Sequence, residues 1–370
     1  MKFLNSDIYS FLEFSKDKEV VAFGAGKGLH NFLLEFNELN VESIIQYVVD
    51  NDKSKIGKMI TLVNETRIIT SLENVIKMNN LVILISCVDI CSIFEQLNAI
   101  SELKDVVCFS TIYIRSETNL YKDKIRVYPN TFRITSDMRI PKIIHYCWFG
   151  KKPIPKKNME WIDGWKRKCP DYEIIQWNEN NYDVTKNQYM YDAYKEKKWG
   201  FVPDYARLDL IYNYGGIYLD TDVEIIRKFD ELLYEEIFFG VDCSHKISLG
   251  LGFGASKKNE IIQKLRDYYD KVSFYDDKGR ISNVSAPSLQ EKCFEELGFK
   301  KNGEYQRIGN IAVFPERVMA AKCNLTGRTS ISENTFSIHH YDASWVDGDI
   351  LNKLNNNKIL FNEKVELLKC

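Results

Sequence analysis

The sequence predicts an α/β fold in two domains. Its 370 residues exceed what one hydrophobic core usually serves. Short apolar runs alternate with amphipathic stretches, which is typical of a parallel sheet covered by helices on both faces. A polar stretch at 116–124 interrupts this alternation, and a new apolar strand begins at residue 140. We therefore expect a first domain at residues 1–125 and a second domain at residues 139–370.

Composition and charge exclude several classes of protein. The 50 Lys and Arg residues nearly balance the 52 Asp and Glu residues, which argues against a general nucleic-acid binder. The best candidate for a membrane span, 81–90, is far too short to cross a bilayer. The first 20 residues do not have the pattern of a secretory signal, and the nine cysteines are scattered without a CxxC pair. We therefore expect reduced thiols and a cytoplasmic location.

The first domain is predicted from its apolar runs. EVVAF and LVILIS are rich in aliphatic residues and short enough to be buried strands. The expected strands are 19–23, 44–49, 81–86 and 106–109, and the expected helical stretches end at residue 39 or span 90–103.

A glycine-rich turn follows the first of these strands. Gly24, Gly26 and Gly28 precede a helix, where backbone N–H groups can hold a phosphate. Asp50 ends the next strand, where an acidic residue would accept a ribose hydroxyl. Leu29 replaces the third glycine of the GxGxxG pattern. The segment resembles the small Rossmann-like domains of bacterial sugar-modifying enzymes, and two hypotheses stay open: a second nucleotide site, or a tight turn that binds nothing.

The second domain is predicted in the same way. Pro203 suits a first helical turn, and Gly215-Gly216 would end that helix. The expected strands are 140–150, 173–177, 217–219 and 237–241, and the expected helices are 158–168, 203–214 and 257–271.

An acidic pair directly follows the short strand at 217–219. If the strand continued, Asp220 and Asp222 would place both carboxylates on one face. Two such groups can hold a hard divalent cation beside a diphosphate. Two other Asp-x-Asp sequences, at 50–52 and 347–349, are better explained as solvated turns.

Asp204 and Arg207 share a face of the helix that precedes this strand. A surface ion pair would explain them without any function. Alternatively, Arg207 binds a diphosphate or a sugar oxygen and Asp204 binds sugar hydroxyls, because Arg suits bidentate recognition of oxygen atoms.

Three ordered motifs in this domain resemble the DXD sugar transferases of the capsular-polysaccharide type, glycosyltransferase family 32-like. That family is related to fungal outer-chain mannosyltransferases and more distantly to glucosylating toxins. The motifs are IHYCWFG at 144–150, DYAR at 204–207 with GGIYLDTD at 215–222, and HHYDASW at 339–345. The resemblance spans about residues 139–345. It implies a GT-A fold, a nucleotide-sugar donor, retention of anomeric configuration, and a divalent metal that is manganese or else magnesium.

The resemblance also implies roles for individual residues. Asp204, Arg207, Asp220 and Asp222 would be the catalytic set. Asp220, Asp222 and His340 would be the metal set, with His339 as the alternative because neighbours on a strand face opposite sides. The residues expected to bind the nucleotide sugar are Trp148, which would stack on the base, together with Asp204, Arg207, Tyr218, Asp220, Ser344 and Trp345. Ala286-Pro287 departs from the Gly-Pro element of the family, on the acceptor side.

The predicted function is metal-dependent transfer of a sugar from a nucleotide sugar to a hydroxyl group, and UDP is the expected nucleotide. The expected role is bacterial capsular or surface polysaccharide synthesis. The acceptor would be a saccharide or a lipid-linked saccharide, and the latter would bring the protein to the inner face of the membrane. One alternative is a toxin-like transferase that acts on protein. Another is a nucleotide-sugar oxidoreductase or epimerase that uses the first domain, although Tyr191 and Lys195, which have the spacing of its catalytic pair, lie in the second domain.

Overall fold

A computed structural model of the protein describes residues 1–125, 132, 134–282, 284–342 and 348–368. This part of the chain divides into two compact units. The first unit contains the described residues up to 125, with 325–327 and 348–368. The second unit contains the described residues 132–324 and 328–342.

Strands and helices alternate through much of the chain. The strands are β1 (Lys2–Asn5), β2 (Glu19–Phe23), β3 (Ile45–Val49), β4 (Met59–Thr61), β5 (Thr66–Thr70), β6 (Leu81–Ile85), β7 (Val107–Ser110), β8 (Ile143–Cys147), β9 (Glu173–Trp177), β10 (Gly216–Tyr218), β11 (Val223–Ile225), β12 (Ile237–Gly240), β13 (Phe253–Ala255), β14 (Gln306–Ile308), β15 (Ile311–Phe314), β16 (Ser337–His339) and β17 (Val365–Leu367). The helices are α1 (Ile8–Phe14), α2 (Lys27–Glu35), α3 (Ile90–Asn98), α4 (Thr111–Ile125), α5 (Lys156–Lys168), α6 (Gln188–Lys195), α7 (Pro203–Tyr214), α8 (Glu260–Tyr268), α9 (Ala286–Glu296), α10 (Glu316–Met319) and α11 (Gly348–Lys364). Among these described helices, none combines the length and apolar character needed to cross a membrane.

The first unit is built on an eight-stranded sheet in the order β17-β1-β7-β6-β2-β3-β5-β4. Its neighbouring strands are parallel except for the β4–β5 pair. Every residue of β6 is buried, as expected of a strand covered on both faces. Hydrophobic clusters that include Phe32 and Phe94 contribute to its core. The α/β alternation predicted for this part of the chain is confirmed, and the predicted strands lie within about one residue of their expected bounds.

The C-terminal segment corrects the expected domain boundary, because it belongs to the first unit and not to the second. β17 pairs in parallel with β1, with Phe3 opposite Val365. Leu360 of α11 is buried in the same core as Phe3. The second domain therefore does not extend to residue 370 as predicted; its described residues end at 342. Pairing between two strands that are so far apart along the chain produces no local pattern in the sequence.

The second unit contains a seven-stranded mixed sheet in the order β14-β15-β12-β13-β10-β8-β9. β8 is parallel to both β9 and β10, so the carboxyl ends of these three strands lie at one edge. The predicted helix at 203–214 is confirmed as α7. Gly215, with φ of 68°, follows its last residue, and a side chain there would be strained and would contact Pro141 and Lys257.

A separate two-stranded ribbon of β11 and β16 lies in the same unit. Its antiparallel register places Val223 opposite His339. This pairing joins the segment after β10 to a segment more than a hundred residues later in the chain, and it determines which side chains meet at the acidic pair.

Replacing Asn357 with Ala should destabilise the first unit. This side chain is 2% exposed; its amide donates to Val88 O at 2.6 Å, and its oxygen accepts from Cys91 N at 3.1 Å. Losing the amide leaves these backbone groups without their partner, at a cost of roughly 1–3 kcal/mol. Urea unfolding of Asn357→Ala should therefore show a lower midpoint than that of Asn356→Ala, an exposed neighbour on α11. Equal midpoints would show that Asn357 does not hold the helix in place.

Candidate functional site

The two aspartates that follow β10 are joined by a histidine from β16. Asp220, Asp222 and His339 each offer one ligand atom, and these atoms lie within 4.8 Å of one another. The Nε2 atom of His339 is 3.2 Å from Asp222 Oδ1. Two carboxylates and an imidazole form a donor set that suits manganese or another divalent cation.

Backbone contacts hold this group of residues in place. Asp222 O accepts a hydrogen bond from His340 N at 2.9 Å, and Asp222 Oδ2 accepts one from Asp342 N at 2.9 Å. His339 N donates to Ala320 O at 3.0 Å. The end of the ribbon therefore fixes both the second aspartate and the histidine.

The structure brings His339, and not His340 as predicted, to the two aspartates. His340 lies on the opposite side of the strand, where its Nε2 is 2.9 Å from Glu224 Oε2. Its ring stacks on Trp161 with centroids 4.4 Å apart and planes 7° apart. Neighbouring residues of a strand face opposite sides, so only one of the two histidines can reach the acidic pair.

The charged side chains of this group shift one another's pKa values. Burial raises the pKa of Asp220, and neighbouring Asp222 raises it further against the opposing effect of Arg207. Burial also raises the pKa of Asp222, but His339 outweighs this and holds it well below its usual range. Burial lowers the pKa of His339, whereas Asp222 raises it, and the balance lies above the ordinary value.

His339 supplies a direct test of whether a metal fits. Both of its ring nitrogens are buried, and within the described residues neither has a hydrogen-bond partner of good geometry, although Nε2 is at ion-pair distance from Asp222. Buried nitrogens of this kind are normally satisfied. A cation between the histidine and the carboxylates would satisfy one of them, so the residues fit a metal.

Asp204 and Arg207 form a buried ion pair beside this group. Their side chains are only 5% and 7% exposed, and Arg207 Nη2 donates to Asp204 Oδ1 at 2.7 Å. Arg207 Nη2 is also 4.0 Å from Asp220 Oδ1. Burial raises the pKa of Asp204 to about 7, although Arg207 opposes it. The surface ion pair considered from the sequence is excluded, because both groups are buried and next to the acidic pair.

The neighbours of Asp220 complete this part of the site. Tyr218 is buried, donates its hydroxyl to Asp220 Oδ1 at 3.0 Å, and has the Arg207 guanidinium 5.2 Å from its ring centre. Gly250, which sequence reasoning did not assign, contacts the same carboxylate: a Cβ there would lie 2.2 Å from Asp220 Oδ2. Its only signal in the sequence is the alternation of glycines at 250, 252 and 254.

Trp148 lies at the carboxyl end of β8, on the sheet edge that also leads to Asp220. Its indole is half-buried and donates to Lys152 O at 2.7 Å. Stacking on a nucleotide base stays a prediction. Ser344 and Trp345 lie outside the described residues. Ala286-Pro287, the departure on the acceptor side, begins helix α9.

The glycine turn of the first unit is tightly packed. A Cβ at Gly28 would lie 2.2 Å from Ser86 O, which explains why glycine stands there. Gly24 likewise contacts Ser86, whereas Gly26 precedes α2 with open space around it. Asp50 accepts from Ala25 N at 2.8 Å and from Lys55 Nζ at 2.9 Å. Its carboxylate is therefore already bonded within the turn, and a nucleotide at this place stays a prediction.

Part of the second unit resembles known glycosyltransferases. Residues 155–239 match a family model described as "Glycosyltransferase sugar-binding region containing DXD motif". This segment includes Asp204, Arg207 and the Asp220-Thr221-Asp222 motif. The match agrees with the predicted glycosyltransferase class.

Two of three similar curated proteins are named for mannosyl transfer. Inositol phosphoceramide mannosyltransferase 3 of Schizosaccharomyces pombe is 32% identical over 130 residues, which cover 33% of this chain and 35% of that protein. Mannosyl phosphorylinositol ceramide synthase SUR1 of Saccharomyces cerevisiae is 35% identical over 102 residues, 25% of each chain. Subversion of eukaryotic traffic protein A of Legionella pneumophila is 26% identical over 168 residues, 35% of this chain and 25% of that protein. The chain thus spans a quarter to about a third of the length of these relatives.

Solved structures give weaker likenesses. PaToxG Glycosyltransferase has a TM-score of 0.34 and 19% identity, and the match covers 50% of this chain and 80% of that one. A galactosyltransferase solved with donor and acceptor sugar analogues has a TM-score of 0.29 and 11% identity, with 58% of this chain and 95% of that one covered.

A methyl group at Gly250 should disturb the acidic pair without unfolding the protein. In Gly250→Ala the new Cβ would displace the Asp220 carboxylate, and we expect weaker Mn²⁺ binding in isothermal titration. Gly164→Ala, in α5, is the matched control, because its new Cβ would meet only Arg167 at 3.7 Å. Equal Mn²⁺ affinities of the two variants would show that Gly250 does not position Asp220.

Proposed function

We propose that this protein is a metal-dependent glycosyltransferase that moves a sugar from a nucleotide sugar to a hydroxyl acceptor with retention of configuration. One observation carries the proposal: a three-residue ligand group, Asp220, Asp222 and His339, lies beside a buried arginine. Both aspartates and the arginine belong to the segment that matches the glycosyltransferase family model. A metal bound there would supply positive charge to a departing diphosphate.

Arg207 is held ready to bind an anion. Its Nε donates to Pro203 O at 3.1 Å, and its Nη2 donates to Asp204, so the guanidinium cannot rotate freely. Its Nη1 is 3.4 Å from the position of a Cβ on Gly250, on the side of Asp220. A fixed cation of this kind stabilises negative charge on a leaving group without having to reorganise during the reaction.

Asp204 and Tyr218 orient the other groups. In this proposal Asp204 holds Arg207 through one oxygen and accepts donor-sugar hydroxyls at the same carboxylate, while Tyr218 holds Asp220. The acceptor hydroxyl attacks from the side of the leaving group, which gives retention. A double displacement through a covalent intermediate is less favoured, because the sequence offers no clear nucleophile on the opposite face.

The donor and the acceptor are proposed by class. A UDP-sugar follows from the resemblance of the motifs to the capsular-polysaccharide transferases, as does a role in bacterial capsular or surface polysaccharide synthesis. Two relatives are named for mannosyl transfer to inositol phosphoceramide, which supports an acceptor on a saccharide or lipid-linked saccharide. A lipid-linked acceptor would bring the chain to the inner face of the membrane.

A protein acceptor is the second candidate. Similarity to a Legionella protein named for subversion of eukaryotic traffic favours it. Incubation with labelled donor separates the two: transfer to lipid or saccharide fractions supports the first proposal, and labelled protein in a cell lysate supports the second.

The proposed donor class is tested by a thermal-shift screen of nucleotide sugars with and without Mn²⁺. A ligand that binds only the folded protein raises its apparent stability, by about 2.7 kcal/mol at a concentration of 100 times the Kd. We expect a shift with a nucleotide sugar that requires the metal. Absence of any shift across UDP-, GDP- and CMP-sugars would contradict the proposal.

Replacing Asp222 with Asn should abolish metal-dependent hydrolysis of the donor. The amide keeps the shape of the side chain but removes a charge from the ligand group, and we expect a rate reduced by about 100-fold or more, of the size seen when one stabilising group is lost. The rate of nucleotide release measures it. Turnover near that of the unchanged protein would refute the role of Asp222.

A matched pair of histidine variants tests which neighbour contributes to the metal site. His339→Ala should weaken Mn²⁺ binding by about tenfold or more, since it removes one of the three ligands. His340→Ala should leave the affinity nearly unchanged, because His340 faces Glu224 and Trp161. Titration with Mn²⁺ gives both values. The reverse order would show that the ribbon has another register in solution.

A further inference from the structure

A second ligand-rich cluster lies in the same unit, apart from the aspartates. Cys243, Glu316 and Cys323 each offer one ligand atom, and these atoms lie within 4.8 Å of one another. The cysteines are 2% and 6% exposed, and neither is in a disulfide. The proposed transferase chemistry does not use any of the three.

The fold brings these residues together from separate segments. β12 and β15 are parallel, with Gly240 opposite Phe314, so Cys243 and Glu316 both follow the carboxyl ends of adjacent strands. Cys323 comes just after α10, and its backbone N donates to Arg328 O at 2.9 Å. Cys243 Sγ lies 2.8 Å from Asn324 Oδ1, which ties the two cysteine segments to each other.

A buried tyrosine supplies an independent sign of a missing ligand. The Tyr341 hydroxyl has almost no exposed surface and finds no hydrogen-bond partner among the described residues. Its ring packs edge-on against the ring of His339, and the backbone N of His339 donates to Ala320 O, in the segment between Glu316 and Cys323. A buried hydroxyl without a partner is unusual in a folded protein. A bound ion with its water would supply the missing partner.

We propose that Cys243, Cys323 and Glu316 bind a zinc ion at a site separate from the Asp220–Asp222 site. Two thiolates and a carboxylate suit Zn²⁺, whereas the carboxylate-rich aspartate site suits Mn²⁺ or Mg²⁺. Three protein ligands leave the fourth tetrahedral position for a water molecule. Binding converts both thiols to thiolates, so each zinc ion bound releases two protons to the solvent.

The zinc site would brace the strand that carries His339. The segment between Glu316 and Cys323 accepts two hydrogen bonds from β16 and one from the residue before it. These are Ser337 Oγ to Met319 O at 2.8 Å, His339 N to Ala320 O at 3.0 Å, and Phe336 N to Val318 O at 2.8 Å. The Tyr341 ring also packs edge-on against the His339 ring at 4.2 Å. The ion would fix both ends of this segment. Zinc is thus proposed as a structural ion, and its effect on catalysis rests on the proposed function.

Cobalt substitution and metal analysis test the site on the whole chain. In the Asp222→Asn background, which weakens the first site, Co²⁺ should give one equivalent of bound metal with the charge-transfer absorption of thiolate ligation and the visible bands of a tetrahedral ion. Zinc should displace the cobalt and protect two thiols from a thiol reagent. The proposal would be overturned if the number of reactive thiols were the same with and without zinc. A cobalt spectrum without thiolate absorption would also overturn it.

Variants separate the ligands from other cysteines. Cys243→Ser and Cys323→Ser should each weaken zinc binding by more than about tenfold, beyond the usual effect of an outer-shell change. Cys293→Ser, a half-buried thiol of α9 outside the cluster, should bind zinc as the unchanged protein does. Equal zinc content in all three variants would refute the site, as would a disulfide between Cys243 and Cys323 in place of bound metal.

If a serine variant does not fold, thiol protection and the cobalt spectrum of the parent chain decide. Failure here would leave the Mn²⁺ and donor-binding tests of the transferase unaffected.

Discussion

The buried guanidinium of Arg207 is the interaction on which the rest of the site depends. Its positive charge lies 2.7 Å from Asp204 and 4.0 Å from Asp220, and it offsets the repulsion between these two carboxylates. Asp222 adds a third carboxylate, so three acidic side chains share this place with two basic ones, Arg207 and His339. An arrangement of this kind is costly unless a further cation or an ordered ligand completes it. In the proposed function, a metal and a diphosphate would complete this arrangement.

The supports of this site come from parts of the chain that are far apart. Helix α7 contributes the buried pair, the end of β10 contributes the aspartates, and β16 contributes His339 through its pairing with β11. A zinc ion at the Cys243–Glu316–Cys323 cluster would fix both ends of the segment to which β16 is hydrogen-bonded. Two ion sites of different chemistry would then serve different purposes, one in contact with substrate and one that keeps a ligand of the first in position. Precise geometry in a binding site generally needs such support from the surrounding shell.

The match to known transferases is confined to a part of the chain. Residues 155–239 include α7 and the Asp220–Asp222 motif, but β16, the cysteine cluster and the whole first unit lie outside it. In the first unit the glycine turn is closed by its own contacts, because Asp50 is bonded to Ala25 and Lys55, and Gly28 lies against Ser86. The family match therefore bears on α7 and the acidic motif, and it gives no information on the first unit, β16 or the cysteine cluster.

Local patterns in the sequence were sufficient for four strands of the first sheet, β2, β3, β6 and β7. They were also sufficient for helix α7, with Pro203 at its start, and for the Asp220–Asp222 motif, since each depends on neighbouring residues only. The choice of His339 over His340 was open in the sequence, because both neighbours are histidine and only the register of β11 with β16 shows which of them faces inward. The return of β17 to the first sheet and the contact of Gly250 with Asp220 were likewise decided by tertiary structure. All three depend on pairing or contact between distant segments. The free energy that selects such contacts comes from burial over the whole fold, so no single segment carries a periodic pattern that predicts them.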